Sequence, residues 1–98
     1  MDGDYQFDWD PEKNRTNFRD HGVGFETATE VFQDYFAIEG LDPRGAVYGE
    51  DRYLITGMGD GSLLTVVYTE REEIIRVISA RRAEKHEHDN YYSQNSKP

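Results

Sequence analysis

The chain has 98 residues, no cysteine and a formal net charge of −9, with 20 Asp and Glu against 11 Lys and Arg. A chain of this length forms one domain, and its 36% hydrophobic content favours a folded unit over a disordered one. The lack of cysteine excludes disulfides and thiolate metal sites, and the negative charge argues against a general nucleic-acid-binding surface, which needs clustered Lys and Arg.

The N-terminal part predicts a short strand followed by two helices. The alternating segment "YQFDW" predicts the strand. Asp10 as the N-cap and Pro11 as the first helical residue begin a helix that ends near His21, before Gly22. Its apolar stripe is thin and consists mostly of Phe18.

Gly24 precedes a second predicted helix, whose apolar residues recur at helical spacing. These residues are Phe25, Ala28, Val31, Phe32 and Tyr35.

The rest of the chain predicts a sheet and a last helix. "YFAIEGLD" predicts a short strand that leads into the loop "DPRGAVYGED". A meander of "RYLITGM", "SLLTVVYTE" and "EEIIRVIS" follows, with turns at 59–61 and at Arg71. Aliphatic residues on both faces of "EEIIRVIS" indicate a central strand. A helix from about Ala80 to Tyr92 completes the order β-α-α-β-β-β-α, an α+β sandwich of helices against an antiparallel sheet.

We expect a single domain over residues 1–92 and a disordered tail over residues 93–98. The N-terminus lacks the basic and apolar segments of a signal peptide, and no apolar run has the length of a membrane span. We therefore predict a cytoplasmic protein with no membrane contact.

The stretch "RVISARRAEKHEHDNYY" concentrates positive charge in an acidic chain. In a regular strand Arg76 shares its face with Ile74 and Ile78, where it requires either a carboxylate partner or an anionic ligand. Ser79 lies at the predicted junction of strand and helix, where it fits an N-cap.

The predicted last helix has two distinct faces. Its packing face consists of Ala80, Ala83 and Tyr91. Its opposite face carries Arg81, Lys85, His88 and Tyr92. This charged stripe is either a solvated surface or an anion site, in which guanidinium groups act beside the amides of a helix N-terminus.

His21 is the third candidate feature. A histidine at the end of a helix gains from the helix dipole, and its near-neutral pKa also suits acid–base chemistry. No metal site or cofactor is predicted, because the two histidines of "HEH" at 86–88 point about 200° apart on a helix. No glycine-rich phosphate loop, nucleophile elbow or carboxylate pair occurs either.

Two long segments resemble the BrnT-type toxins of bacterial toxin–antitoxin systems. The first, "FDWDPEKNRTNFRDHGVGFETATEVFQD", carries F-x-W-D, K-x-x-x-N, H-G-V and F-E-x-A. The second runs from Arg52 to Tyr91 and carries R-V-I-S-A-R-R-A at 76–83, followed by Glu87 and Tyr91. Together they cover nearly the whole chain except the tail.

The resemblance implies a RelE-like fold and a metal-independent ribonuclease without cofactors, which cleaves RNA and inhibits translation. It also implies neutralisation by a BrnA-type antitoxin in a hetero-oligomer. The antitoxin carries a ribbon-helix-helix element, so operator DNA is bound only through the antitoxin.

The resemblance also assigns residues to the site. The catalytic candidates are Arg76, Ser79, Arg81 and His21. The candidates for RNA binding are Arg82, Lys85, His88 and Tyr91. In the expected mechanism the 2′-hydroxyl of the RNA attacks the adjacent phosphate, the arginines stabilise the phosphoryl charge, and His21 or Tyr91 moves a proton.

The chain departs from the family pattern toward negative charge. Asp20 stands where family members commonly have a lysine, and the last helix carries "EKHEHDN". Each departure weakens phosphate attraction. The alternative hypothesis is therefore a catalytically degenerate homologue that acts as an antitoxin-binding and co-repressor module.

Overall fold

The computed structural model of the protein describes residues 5–96. It contains five strands, four α-helices and one 3₁₀ turn. The strands are β1 (Gln6–Asp8), β2 (Ile38–Asp42), β3 (Arg52–Gly59), β4 (Ser62–Arg71) and β5 (Ile74–Arg82). The helices are α1 (Pro11–His21), α2 (Phe25–Ala28), α3 (Gly45–Tyr48) and α4 (Lys85–Asn95), and the 3₁₀ turn Thr29–Gln33 follows α2. None of these helices is long and apolar enough to cross a membrane.

The α+β class is confirmed, and the strands form one sheet in the order β1-β5-β4-β3-β2. The predicted order was wrong in counting four strands, and the predicted antiparallel pairing was wrong for one pair, because β1 runs parallel to β5. Phe7 explains this placement, since its ring packs edge-on against Phe32 with centroids 5.2 Å apart. Burial of these aromatic rings holds β1 against the last strand.

One face of the sheet, the helix face, packs against α1, α2 and the 3₁₀ turn. Phe25 and Val31 are fully buried there, against strand residues such as Val66 and Val77. Burying a side chain of this size contributes about 1.5–3 kcal/mol, so this layer supplies most of the stabilisation. The opposite face, here called the second face, carries Thr65 and its alternate neighbours on β4.

The boundaries of α1 are those predicted. The Asp10 carboxylate accepts the Glu12 amide at 2.9 Å, and Gly22 ends the helix with a φ of +73°. The predicted apolar stripe was wrong, because Phe18 is 61% exposed. The buried residue of α1 is Asn17.

Asn17 ties α1 to the edge of β5 beyond the end of β1. Its amide group donates to the carbonyl oxygens of Val23 (2.9 Å) and Ala80 (2.8 Å). Its amide oxygen accepts the Ala80 N–H at 3.1 Å. One side chain thus pairs with a strand edge as a neighbouring strand would.

The second predicted helix is shorter than expected. It becomes 3₁₀ at Thr29 and ends at Gln33, and Tyr35 is 92% exposed instead of packed. Asp34 causes the ending, because its carboxylate accepts the amides of Phe36 (2.9 Å) and Met58 (2.8 Å). The predicted loop after β2 also contains a short helix, α3.

The predicted start of the last helix was wrong. β5 continues to Arg82 along the ten-residue β4, and α4 begins at Lys85. The N-cap is Glu84, so Ser79 is a strand residue, and the predicted packing face with Ala80 does not form. The helix extends to Asn95, so residues 93–95 are helical instead of disordered. Residues 97–98 of the predicted tail lie outside the described part.

The turn between β4 and β5 is strained. Glu72 and Glu73 have φ values of +54° and +68°, a region that costs a non-glycine residue about 1–2 kcal/mol. We expect Glu72→Asn with Glu73→Gly to raise the free energy of unfolding by about 1–2 kcal/mol in urea titrations. Glu70→Asn removes a negative charge from the neighbouring strand, where no turn geometry is involved, and serves as the control. An equal gain in that control would trace the effect to charge.

Candidate active site

A β-bulge in β5 defines the candidate site. Val77 pairs with Tyr68 of β4, and Ser79 pairs with Val67, which leaves Ile78 as the extra residue. In a regular strand Ser79 and Arg81 would lie on the face opposite Arg76. Because of the bulge, Arg76, Ser79 and Arg81 all lie on the second face.

The register also gives the spacing of these residues. Arg76 pairs with Thr69 and Arg81 with Thr65. The β4 partners of the two arginines are four positions apart, so the Cα atoms of Arg76 and Arg81 lie about 13 Å from each other. Ser79 lies between the two arginines along the strand.

Arg76 forms an open ion pair with Asp8. The two are direct partners across β1 and β5, and Arg76 Nη1 lies 3.0 Å from the carboxylate. Their side chains are 50% and 53% exposed. An exposed pair of this kind contributes less than about 1 kcal/mol, so an anionic ligand can displace Asp8 at little cost.

Arg81 is held much more firmly by Glu87 of α4. The two groups make a bidentate pair with distances of 2.8 and 3.0 Å. Glu87 also accepts the Thr65 hydroxyl at 2.9 Å and the Glu84 amide at 2.8 Å. The Thr65 hydroxyl is hydrogen-bonded in turn to Thr56 at 2.8 Å. This network fixes the direction of the Arg81 guanidinium and joins α4 to the second face.

The network sets the charge states of both partners. Burial alone would raise the pKa of Glu87, but the hydrogen bonds from Arg81, the Glu84 amide and Thr65 lower that pKa to about 2. The hydrogen bond to Glu87 raises the pKa of Arg81. Glu87 is thus fully ionised near neutral pH and too acidic to act there as a general base, so its part is to orient Arg81.

Two arginines that the sequence did not single out lie close to this face. Arg44 binds Asp42 through contacts of 3.0–3.2 Å. The hydrogen bond to Asp42 raises the pKa of Arg44. Arg52 contacts Glu50 at 3.2 Å, and its guanidinium lies 4.0 Å from the centroid of the Tyr48 ring. No local pattern predicts how the loop before β3 folds, so these residues could not be found from sequence.

The predicted stripe of Arg81, Lys85, His88 and Tyr92 does not form on one helix, because Arg81 belongs to β5 and not to α4. The four residues expected to bind RNA are likewise divided between β5 and α4. Arg82 is paired with Leu64 on the helix face and donates to the Ser62 hydroxyl at 3.1 Å. Lys85 forms an exposed pair with Asp89 at 2.8 Å. His88 stacks on Tyr92, with ring centroids 6.2 Å apart.

Tyr91 is buried, with 5% of its surface exposed. Its hydroxyl donates to the Asp34 carboxylate at 2.6 Å. Burial is the largest cause that raises the pKa of Tyr91, and together with this hydrogen bond it raises that pKa to about 12. The tyrosine therefore keeps its proton near neutral pH and anchors α4.

His21 is exposed at the end of α1. It lines a cleft together with Lys13, Thr16 and the bulge residue Ile78. This cleft lies beside Ile78 at the β1 side of β5, while Arg76, Ser79 and Arg81 are not among its lining residues. The structure thus brings His21 to the same strand but not to the same face. Within residues 5–96 no group of three His, Asp or Glu side chains is arranged to hold a metal ion.

The comparison with protein families shows the family to which the chain belongs. The model described as "Ribonuclease toxin, BrnT, of type II toxin-antitoxin system" matches residues 9–87, most of the chain. The chain belongs to the BrnT family. The match contains α1 with Asn17, all of β5, and Glu87, which orients Arg81. No curated protein matches the chain in a sequence search.

Members of the BrnT family are ribonuclease toxins of type II toxin–antitoxin systems, and such toxins have an antitoxin as their partner. The resemblance stated from the sequence is therefore confirmed at the level of the family.

Proposed function

We propose that this BrnT protein is a RelE-like toxin that cleaves RNA without a metal ion and thereby inhibits translation in the cytoplasm. The bulge in β5 carries the proposal, because it presents Arg76, Ser79 and Arg81 on one face of the sheet. Planar guanidinium groups are well suited to phosphate, and one of the two is only loosely held by its carboxylate.

The reaction needs little covalent chemistry from the protein. The 2′-hydroxyl oxygen of the RNA attacks the adjacent phosphorus, and the bond to the 5′-oxygen of the next nucleotide breaks. The products are a 2′,3′-cyclic phosphate and a 5′-hydroxyl. Arg76 and Arg81 stabilise the charge on the non-bridging oxygens, and Ser79 between them donates a hydrogen bond to the phosphate.

One proton must leave the 2′-hydroxyl and one must reach the departing oxygen. Tyr91 is buried against Asp34, and His21 lies beside β5 but not on the face that carries the arginines, so we assign both proton transfers to solvent water at the reacting centre. We assign Arg82, Lys85 and His88 to contacts with RNA outside the reacting centre.

The expected partner is a BrnA-type antitoxin with a ribbon-helix-helix element, which binds the toxin in a hetero-oligomer and contacts operator DNA. The net charge of −9 supports a basic partner.

The proposal is tested by induced expression in a bacterial host, with primer extension on cellular RNA and a cleavage assay on purified protein. We expect growth arrest from the wild type and at least about a 100-fold loss of cleavage rate from Arg76→Ala with Arg81→Ala. Arg15→Ala with Arg19→Ala changes the charge equally on the exposed surface of α1 and should leave cleavage intact.

Two outcomes would contradict the proposal at different points. A wild type that neither arrests growth nor cleaves RNA removes the enzymatic function. Equal cleavage by the wild type and both double variants removes the site assignment.

One observation favours a second candidate, the degenerate co-repressor module. Four arginines on or near the second face each have a carboxylate partner, in the pairs Arg76–Asp8, Arg81–Glu87, Arg44–Asp42 and Arg52–Glu50. Self-neutralisation of this kind suits a protein that holds an antitoxin and no longer binds RNA. Tight antitoxin binding and operator repression without cleavage is the result expected of this function.

A further inference from the structure

The two edges of the sheet differ in whether their backbone groups have hydrogen-bond partners. On the β5 side, β1 covers residues 74–76 and the Asn17 side chain covers Ala80. On the other side, β2 is the last strand, and within residues 5–96 no strand pairs with its outer edge. An edge strand presents unpaired N–H and C=O groups that can accept another chain.

Exposed apolar side chains cluster around this edge. Within the described part of the chain, five of the eight exposed large apolar or aromatic residues lie between positions 35 and 48. They are Tyr35, Phe36, Leu41, Val47 and Tyr48. Leu41, in β2 itself, is 69% exposed. Exposed apolar side chains concentrated in the segment that contains an edge strand are typical of an interaction site.

A shallow groove beside β2 adds negative charge to this surface. Leu41 lines the groove together with Tyr53, Tyr68, Glu39 and Glu70. The Tyr68 hydroxyl donates to Glu39 at 2.8 Å, and the rings of Tyr53 and Tyr68 lie 5.5 Å apart. Within the described residues neither Glu39 nor Glu70 forms an ion pair with a Lys or Arg side chain. The groove therefore offers aromatic surface and two carboxylates without cationic partners.

These charges decide between two occupants. A second copy of this chain would bring another β2 strand, with its own Glu39, against this edge and would join two molecules of charge −9. Like charges directly opposite each other across a strand pair are destabilising. A basic segment instead gains from both carboxylates and from the tyrosine rings.

We propose that the outer edge of β2 binds an extended, basic segment of the antitoxin as an additional strand. Main-chain hydrogen bonds supply the affinity, an apolar side chain covers Leu41, and Lys or Arg side chains contact Glu39 and Glu70. The proposal rests on the proposed function, because the partner is the antitoxin of the pair. It places that contact away from Arg76 and Arg81.

The test uses the ¹⁵N-labelled full chain and a short synthetic peptide in which every second residue is, in turn, a basic residue or valine, with threonine between them, so that the basic and apolar side chains share one face of the strand. We expect amide shifts concentrated in Ile38–Asp42 and the groove, and no binding by a peptide in which glutamate replaces the basic residues. Leu41→Lys should weaken binding about tenfold or more. Phe18→Lys changes a residue of similar exposure (61%) on α1 and should bind as the wild type does.

Shifts confined to the second face, equal binding of the acidic peptide, or dimerisation of the free chain through β2 would overturn the proposal. Growth arrest by the Leu41→Lys variant is measured in a separate experiment, so that toxicity and peptide binding are judged independently. A wild type that binds the peptide at β2 without being toxic removes the ribonuclease function and leaves the edge site standing. A wild type that is toxic but does not bind the peptide removes the edge site and leaves the ribonuclease function standing.

Discussion

Asn17→Ala should lower the free energy of unfolding by about 3–5 kcal/mol, because it leaves three buried backbone groups without their partner. These groups are the carbonyl oxygens of Val23 and Ala80 and the amide of Ala80. A domain of 98 residues has a total stability of only about 5–15 kcal/mol, so the variant should be partly unfolded at 37 °C. Urea unfolding followed by circular dichroism measures the loss.

The matched control is Asn90→Ala, since Asn90 is exposed on α4 and the same atoms are removed. We expect its stability to change by no more than about 0.5 kcal/mol. If the two variants lose similar amounts, Asn17 does not close the edge of β5 as described.

The second large effect is a dependence of stability on pH that traces to Glu87. Its pKa is about 2 in the folded protein against an ordinary value of 4.5. A carboxyl with a lowered folded pKa stabilises the protein fully above its unfolded pKa, and that contribution is lost as the pH falls through the folded pKa. Here the window runs from about pH 5 down to about pH 2, and the contribution is about 3 kcal/mol at most.

Glu87→Gln should therefore be less stable than the wild type by about 2–3 kcal/mol at pH 7, and the difference should fall below about 1 kcal/mol by about pH 2.5 and approach zero below about pH 2. The measurement is a series of urea titrations across this range. Asn90→Ala again serves as the control, because neither side chain titrates and its small effect should not vary with pH. A constant difference between Glu87→Gln and the wild type would show that Glu87 acts only through packing.

Local sequence signals predicted the elements that local interactions determine. The cap at Asp10, the stop at Gly22 and the hairpin at 59–61 each have their cause within a few residues. The end of β5 has no such cause. "SARRA" has weak strand propensity, and it is extended because the long β4 and the Asn17 side chain provide partners on both sides.

The site was partly predictable for the same reason. The family-like motif pointed to Arg76, Ser79 and Arg81, but alternation along a regular strand would have divided them between two faces. The extra residue at Ile78 brings them together, and a bulge of this kind has no sequence signature. Glu87 reaches Arg81 from α4, so its part depends on tertiary structure.

The tie between α1 and β5 also has a consequence for the order of events during synthesis. Asn17 and Ala80 are 63 positions apart. The strand β1 likewise cannot pair until β5 has been synthesised. Helices as short as α1 and α2 are not stable alone in water. The ribosome therefore makes the first half of the chain long before its folding partners exist. A chain whose synthesis stops before β5 lacks both the fold and the arginine face, and under the proposed function only copies that extend through Arg82 are toxic.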